Sequence, residues 1–548
     1  MHTSFSHWLA WAIAGCLLMG QPVASAEDSR SRLASVQWLE QALKRDDVVL
    51  LDASPAPLYA AQHIPGAVHV DLLSFGVGGV SVAEMERRMQ SWGVSAGKKV
   101  VIYDQGGAMM ATRIFFDLYY HGFPAADLLI LDGGLSKWLE AGGMVTKAPT
   151  PAPARGSFRV TKTVEDARAR LPEFLVASGD PAKNALVEAL DPSYHFGETK
   201  FFDRAGHVPN ATMLPTGDFF NADKTFKSAE EIGRMVSYLG IKPEQQIHTY
   251  CGGGWAASVP FFAMKFMLNF PKVKLYSESQ LEWLQDERGL PFWTYDAPSL
   301  KRDMQWLSGW SNRMMRAYGV TQLSVLDVRP AEAFQQGHVP YALNIPADVF
   351  RRHLGNPGKL AELLGPAGVN AGHEAVIVAD GGLNEGSALA FLMLESLGHK
   401  KVSVLMDSVD EWGLRGLPLT KEATAVGAKK EPYDLSIPPT LYPNAARPGV
   451  LITNANATKG PYPKVFIASG KAAPARSPEG KVVHVPFADL LNADGTPKAA
   501  KDIWSILAKA GVPRYAEIVC FADDPGAAAV NYFILRLMGY PDVKVLLT

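Results

Sequence analysis

The chain has 548 residues, of which 47% are hydrophobic and 20% charged, and its net charge is −2. This length exceeds what one hydrophobic core supports, so we expect roughly three to five domains. Lys and Arg are scattered along the chain. This argues against a nucleic-acid partner, because neutralising phosphates requires a basic patch.

The first 26 residues predict a cleaved signal peptide. An apolar run, Trp8–Gly20, is too short to span a bilayer, and small residues at Ala24 and Ala26 suit a signal peptidase. A buried N-terminal helix and lipidation at Cys16 are the alternatives. We expect cleavage after Ala26, a periplasmic or secreted protein, and no membrane span in the mature chain.

The remaining sequence repeats one pattern. An apolar strand ending in Asp precedes a His-x-Pro turn, a second strand and a helical stretch. The Asp residues are Asp52, Asp191 and Asp327, and the turns are His63–Ala67, His207–Ala211 and His338–Ala342. A fourth, less regular copy lacks this turn. It shares an Asn-Ala-Asp-x-Thr segment with the second copy, at Asn492–Thr496 and Asn221–Thr225.

Strands that alternate with helical stretches predict an α/β fold, in which each copy is a parallel sheet with helices on both faces. The predicted boundaries are 1–26 for the signal peptide and 30–147, 160–297, 305–425 and 445–548 for the four domains. A Pro/Ala-rich stretch, Ala148–Ala154, predicts a semi-rigid linker between the first two copies.

A cysteine follows the inner strand in the second copy, in the segment Tyr250-Cys251-Gly252-Gly253-Gly254-Trp255-Ala256. The corresponding segments begin Tyr103-Asp104, Ala379-Asp380 and Phe521-Ala522. Glycines allow successive backbone N–H groups to converge on one anion, and the next helix adds its positive end. This setting favours a thiolate nucleophile at Cys251. Because Pro260 lies in that helix, we expect its first turn to be irregular.

These repeats resemble the rhodanese family, in four tandem copies. The closing Asp-Gly-Gly-x-x-x-Trp segment of the family matches Asp132–Trp138, with weaker forms ending at Trp283 and Trp412. The family often pairs an inactive copy that carries Asp with an active copy that carries Cys. The resemblance implies sulfur transfer from thiosulfate or 3-mercaptopyruvate, through a persulfide on Cys251, to a thiol, cyanide or protein acceptor. It implies no cofactor.

The resemblance also suggests which residues hold the small anionic donor. Residues Gly252, Gly253, Gly254, Trp255 and Ala256 would form the donor-binding loop, which contains no charge. Many relatives place an Arg after the Asp-ending strand, and the stretch after Asp191 lacks it. We expect Lys200, Arg204 or His195 to substitute.

Three further interpretations follow from the sequence. We expect Cys520 to be a core residue, the recurring histidines to hold their turns and the closing tryptophans to pack. No His/Cys cluster has metal-ligand spacing, so we predict no metal site. The absence of Arg from the ten residues after Cys251 argues against a phosphatase or arsenate reductase, whose cysteine loop ends in an Arg that holds the oxyanion. A non-turnover carrier of sulfur or a related chalcogen, acting with a protein partner, is the alternative function.

Overall fold

The computed structural model describes residues 32–547 except 108, 432, 446, 448 and 473–475. The predicted signal peptide and Cys16 lie outside the described residues. Within this range the chain forms four five-stranded sheets, one after another, which we call the first to fourth units.

In the first unit the strands are β1 (Leu33–Ala34), β2 (Val48–Asp52), β3 (Val68–His69), β4 (Lys99–Tyr103) and β5 (Leu128–Leu131), and the helices are α1 (Val36–Ala42), α2 (Ala56–Ala61), α3 (Val82–Ser91), α4 (Met110–Tyr120) and α5 (Gly134–Glu140). In the second unit the strands are β6 (Arg168–Ala169), β7 (Asn184–Glu188), β8 (Ala211–Met213), β9 (Gln246–Tyr250) and β10 (Val273–Tyr276), and the helices are α6 (Leu171–Gly179), α7 (Pro192–His195), α8 (Ala229–Tyr238), α9 (Ser258–Phe262) and α10 (Ser279–Gln285).

In the third unit the strands are β11 (Lys301–Arg302), β12 (Leu323–Asp327), β13 (Leu343–Asn344), β14 (Glu374–Val378) and β15 (Val402–Leu405), and the helices are α11 (Met304–Trp310), α12 (Arg313–Ala317), α13 (Ala331–Gln336), α14 (Ala347–Arg352), α15 (Pro357–Leu364), α16 (Glu385–Ser396) and α17 (Val409–Leu414). In the fourth unit the strands are β16 (Leu451–Ile452), β17 (Lys464–Ala468), β18 (Lys481–His484), β19 (Glu517–Phe521) and β20 (Val543–Leu546), and the helices are α18 (Ala500–Lys509) and α19 (Pro525–Leu537).

All four sheets have the same strand order. In the first unit it is β1-β5-β4-β2-β3, and the other units repeat it with their own strands. The strand pairs are parallel, as in β2–β4, β7–β9, β12–β14 and β17–β19. This confirms the predicted α/β fold. It also shows that the irregular fourth copy is a complete unit of the same topology.

The register of the second unit corrects one prediction. Strand β7 ends at Glu188, which pairs with Tyr250, just as Asp52 pairs with Tyr103 in the first unit. The prediction that this strand ends at Asp191 is wrong, because Asp191 lies beyond β7 at the N-terminus of α7. The predicted start of the third domain at 305 also falls inside the unit, since its edge strand begins at Lys301 and pairs with β15.

The recurring histidines are fully buried and hold the turns that carry them. Their Nδ1 atoms lie 2.9 Å from backbone carbonyl oxygens, His63 at Tyr59, His207 at His195 and His338 at Phe334. The closing tryptophans also donate to backbone carbonyls from buried positions, Trp138 to Met144, Trp283 to Pro291 and Trp412 to Pro418. The structural roles expected for both sets are confirmed.

The units associate in pairs through their central helices. Helix α4 packs on α9, where Phe115 meets Phe262 edge-on at 5.0 Å and Phe116 meets Phe261 at 5.1 Å. Helix α16 packs on α19 in the same way, and one apolar core runs through the third and fourth units. The Asn-Ala-Asp-x-Thr turns close each pair: Leu383 N donates to Gly495 O at 2.8 Å in the second pair.

The two pairs meet where the second unit touches the fourth. Arg514 forms an ion pair with Asp218 at 2.6 Å, and Tyr238 donates a hydrogen bond to Ala516 O at 2.9 Å. Across the part of the chain that the structure describes, no helix is both long and apolar enough to cross a bilayer.

The buried turn histidines generate a stability prediction. Replacing His338 by Ala removes the Nδ1 contact to Phe334 O and should lower the free energy of unfolding by about 1–3 kcal/mol. Chemical denaturation measures this change. His484→Ala is the control, because that exposed side chain bonds Gly470 O at the surface and should cost less than about 0.5 kcal/mol. Equal losses in the two variants would contradict the structural role of His338.

Candidate functional site

Cys251 is the first residue after β9, at the carboxyl edge of the second sheet. Its side chain is 3% exposed. The backbone on both sides is fixed, because Cys251 N donates to Ser279 Oγ at 3.1 Å and Cys251 O accepts from Gln280 N at 3.1 Å. Gly254 N donates to Cys251 Sγ at 3.0 Å. A backbone N–H that points at sulfur stabilises negative charge there.

Gly254 is required by the shape of this loop. Its φ is +82°, and a Cβ added to it would lie 2.2 Å from Ser277 O, which is itself backbone and has no room to move away. Only glycine allows Gly254 N to reach Cys251 Sγ in this conformation. The predicted anion-binding loop therefore directs the Gly254 N–H at sulfur through a tight bend that requires glycine.

The helix after the loop is irregular, as expected from Pro260. Helix α9 covers only Ser258–Phe262 and continues directly into a π-helix, Ala263–Met267. A helix this short and distorted adds little macrodipole field at the loop. The Gly254 N–H is therefore the better supported source of anion stabilisation.

Apolar groups surround the loop. A Cβ on Gly252 would lie 2.9 Å from the ring of Phe201, which stacks on Tyr194 at 4.3 Å, and a Cβ on Gly253 would lie 3.3 Å from Val77 of the first unit. Trp255 Nε1 is buried and has no hydrogen-bond partner among the residues that the structure describes. Side chains of the first and second units thus both form walls of the site.

The three residues expected to replace the missing arginine differ in how far they are exposed to solvent. Lys200 is exposed, next to Phe201, and donates to Asp203 O at 3.2 Å. Arg204 is partly buried and donates to Leu290 O at 2.7 Å. His195 is fully buried, so a donor arriving from solvent does not meet it.

His195 instead lies at the centre of a buried ionic network. Its Nδ1 donates to Glu188, and its Nε2 donates to Asp296 at 2.5 Å. Burial opposes its charge, yet the carboxylates of Asp296 and Glu188 outweigh burial and raise the pKa of His195 to about 9. His207 stacks on it at 3.7 Å, and burial together with the His195 charge lowers the pKa of His207 to about 3. The sequence predicts His195 as a donor-binding residue. In the structure it contacts Glu188, 7 residues earlier, and Asp296, 101 residues later in the chain.

Glu188, His195 and His207 are close enough for one ion to be considered. Their geometry does not favour a metal, because the two imidazole rings are parallel within 4° and stacked, so their nitrogen lone pairs run side by side. Both nitrogens of His195 are also already engaged by carboxylates. We describe the group as a hydrogen-bonded network.

Comparison with known proteins identifies the family. The profile of the rhodanese-like domain matches residues 35–141 and 309–414. The chain is 30% identical over 272 residues to the sulfur carrier protein TtuD of Thermus thermophilus, covering 46% of this chain and 93% of that protein. The chain belongs to the rhodanese family.

The chain is also similar to other proteins. A probable 3-mercaptopyruvate sulfurtransferase of Pseudomonas aeruginosa is 29% identical over 47% of this chain and 97% of its own length. The solved structure of YnjE is 25% identical, with a TM-score of 0.44, over 48% of this chain and 68% of that one. These curated relatives match less than half of this chain, so a match has about the length of two rhodanese units. They support a role in sulfur transfer or sulfur carriage.

The rhodanese units differ at the position of Cys251. The strand registers align it with Asp104, Ala379 and Ala522. In the first unit the Asp104 carboxylate accepts from Gly106 N at 2.8 Å and from Ala111 N at 3.0 Å. The Asp104 side chain thus accepts from N–H groups of the loop and of the first turn of α4, while burial raises its pKa. The alignment with Asp380 was wrong by one residue, and Ala379 is the equivalent position.

Sequence reasoning missed Arg329, which stands two residues after the end of β12. The equivalent position in the second unit is Leu190, so the arginine expected in rhodaneses is missing from the unit that carries Cys251. Arg329 is retained in the third unit, where it binds Asp327 at 2.7 Å and donates to Gly337 O at 2.9 Å. The Val-Arg pair directly after Asp327 is the sequence signal from which Arg329 could have been predicted.

Cys520 is a core residue, as expected. It lies inside β19, is fully buried, and burial raises the pKa of its thiol well above the ordinary value. A thiol in this state is a poor nucleophile.

The bend at Gly254 generates a testable prediction. Gly254→Ala should lower the free energy of unfolding by about 1–3 kcal/mol and slow any reaction of Cys251, because the Cβ clash pushes the N–H away from sulfur. Gly253→Ala is the matched control, since its Cβ meets only a valine methyl group. Thermal denaturation and alkylation of Cys251 measure both effects. An alanine at Gly254 that behaves like the alanine at Gly253 would refute the proposed bend.

The pKa of His195 generates a pH prediction. Its folded pKa is raised above the unfolded value of 6.5, so its charge stabilises the fold below that pH and this stabilisation is lost as pH rises through about 9. His195→Gln should remove roughly 3 kcal/mol of the fall in stability between these values. Denaturation at several pH values compares the variant with wild type. His353→Gln, at a partly buried histidine that bonds Val349 O within its own helix, should leave the pH profile unchanged.

Proposed function

We propose that the protein is a sulfurtransferase in which Cys251 carries sulfane sulfur from thiosulfate or 3-mercaptopyruvate to a thiol or cyanide acceptor. The observation that carries the proposal is Gly254 N at 3.0 Å from Cys251 Sγ, in the unit where cysteine replaces the Asp or Ala of the other three. The relatives named as sulfurtransferases support it.

In the first step the Cys251 thiolate attacks the outer sulfur of the donor. The S–S bond of thiosulfate breaks and sulfite leaves with the electron pair. With 3-mercaptopyruvate the C–S bond breaks instead, and the leaving carbanion becomes pyruvate after taking up one proton. The product on the protein is a Cys251 persulfide. Gly254 N–H stabilises charge at Sγ throughout this exchange.

In the second step an acceptor thiolate or cyanide attacks the terminal sulfur of the persulfide. The S–S bond breaks, the sulfur leaves on the acceptor and the Cys251 thiolate returns. The surrounding Val77, Phe201 and Trp255 keep water away from the persulfide.

The uncharged walls favour a donor with one negative charge over one with two. Desolvating a dianion in a site without a nearby cation is costly, and no Arg occupies the position of Leu190. 3-Mercaptopyruvate is a monoanion and thiosulfate a dianion. We propose that exposed Lys200, next to Phe201 in the sequence, and partly buried Arg204 attract either donor.

A non-turnover carrier is the second candidate. It is favoured by the 3% exposure of Cys251, which shields a bound sulfur, and by the relative that is named a sulfur carrier. An enzyme turns over repeatedly with a small donor and cyanide, whereas a carrier loads once and releases sulfur only to its partner. We further propose that the chain is exported, with a protein thiol as one acceptor.

Substitution of the nucleophile tests the proposal. Cys251→Ser should abolish persulfide formation and transfer, while Cys520→Ser, the control, should retain activity near the wild-type level because its thiol is buried and protonated. Intact mass spectrometry after incubation with thiosulfate or with 3-mercaptopyruvate should show one added sulfur atom in wild type and none in Cys251→Ser. Sulfur loading that persists without Cys251 would refute the assignment. Loading by only one of the donors would identify the substrate class.

A further inference from the structure

A cavity of about 310 Å³ lies between the second and fourth units, apart from the loop of Cys251. Volumes of this order accommodate small ligands. One side is formed by residues around α7 and β8, and the other by α18 and the segment that follows α19. Neither pair of units forms this cavity alone, because one wall belongs to the first pair and the other wall to the second pair.

Much of the cavity wall is flat and apolar. Phe196 stacks on Trp504 with their ring centroids 5.5 Å apart, and Met213, Leu239 and Met538 continue this surface. Such a wall binds the body of a planar or aromatic molecule through dispersion and release of water. It offers nothing to a bare inorganic ion.

Tyr540 lines the cavity and has a hydroxyl group without a hydrogen-bond partner among the described residues. Tyr540 is 5% exposed, and its hydroxyl is buried. Burial raises the pKa of Tyr540, with Arg514 and Asp296 close enough to influence it, so the group is a neutral donor. A buried hydroxyl left unpaired costs about 1–3 kcal/mol, which a ligand oxygen would offset.

Two cations line the same cavity. Arg514 is held by Asp218 at 2.6 Å, and Arg536 has its Nε 3.5 Å from Glu395, without a hydrogen bond. The acidic lining residue, Asp296, already accepts from His195 at 2.5 Å. Asp218 thus neutralises Arg514, whereas the Arg536 guanidinium donates no hydrogen bond within the described residues, so its N–H groups are free for the carboxylate of a ligand with a single negative charge.

The cavity is also connected to the Cys251 loop by consecutive hydrogen bonds. Asp296 accepts from His195, which donates to Glu188, and Glu188 Oε1 accepts from Gln280 Nε2 at 2.8 Å. Gln280 N donates to Cys251 O at 3.1 Å. Each of these contacts is buried or nearly so, and together they reach from the cavity wall to the backbone of the candidate nucleophile.

We propose that this cavity binds a small organic monoanion with a flat apolar body, whose charged head meets Tyr540, Arg514 and Arg536, and that its binding steadies the Cys251 loop through Glu188, His195, Asp296 and Gln280. The head of the ligand would lie beside Asp296 and fix this carboxylate in its contact with His195. This tightens the hydrogen bonds that hold Gln280, which acts here as a positioning residue. The binding site itself does not depend on the proposed sulfur transfer.

Phenylacetate is the probe, and uncharged phenylacetamide of the same shape is its control. Calorimetric titration of the full chain should show binding of phenylacetate and at least about tenfold weaker binding of phenylacetamide. Tyr540→Phe should weaken phenylacetate binding roughly fivefold to tenfold. The same variant should keep or raise the melting temperature without probe, because it removes an unpaired buried hydroxyl.

Tyr442→Phe is the matched control for that variant. Tyr442 is also buried, but its hydroxyl is paired with His399 at 2.7 Å in the third unit. This change should lower the melting temperature and leave phenylacetate binding within about twofold of wild type. Absence of phenylacetate binding, equal binding of the two probes, or equal binding to wild type and Tyr540→Phe would each overturn the site.

Coupling to Cys251 is measured by alkylation with iodoacetamide, which needs no sulfur donor. Because Cys251 is buried, alkylation requires the loop to open, and saturating phenylacetate should slow it about threefold. Gln280→Met removes the contact to Glu188 and should abolish this slowing without changing phenylacetate affinity. An unchanged alkylation rate in wild type, or slowing that survives in Gln280→Met, would overturn the coupling while leaving the sulfur-transfer proposal untouched.

Discussion

The packing of α4 on α9 is the contact on which the candidate site depends. It brings the first unit against the second through edge-on phenylalanine pairs, and it places Val77 over the glycines that follow Cys251. A single rhodanese unit would leave this loop open to water. The first unit therefore contributes a wall to the site although its own loop carries Asp104, and this explains why a unit without the nucleophile is retained.

The loop of the first unit shows what the shared architecture can hold. The Asp104 carboxylate takes two backbone N–H groups in the position where Cys251 Sγ takes one. The two units thus place an acceptor of backbone N–H groups at the same strand end, the Asp104 carboxyl group in one and the Cys251 sulfur in the other. In the third and fourth units alanine stands at this position, so neither the carboxyl group nor the nucleophile remains.

The second pair of units is linked to the candidate site through its contact with the first pair. The fourth unit approaches the second with Arg514, Trp504 and Tyr540, and the cavity between them adjoins the network around His195. A histidine that is charged between two carboxylates and stacked on a neutral one is sensitive to added charge nearby. This connects the third and fourth units, which have alanine at the equivalent position, with the loop of Cys251.

The sequence by itself determined the repeated α/β units, the turn role of the histidines, the core position of Cys520 and the location of Cys251, because these depend on local periodicity and on comparison among copies. Tertiary structure decided the rest. The strand of the second unit ends at Glu188 and not at Asp191. Its sequence is compatible with either end, and only the hydrogen bonds with the neighbouring strand fix the register. His195 became part of a buried network because Asp296, about a hundred residues away in sequence, folds back onto it. The irregular fourth copy formed a full unit because burial of its strands, and not its turn motif, holds the sheet together.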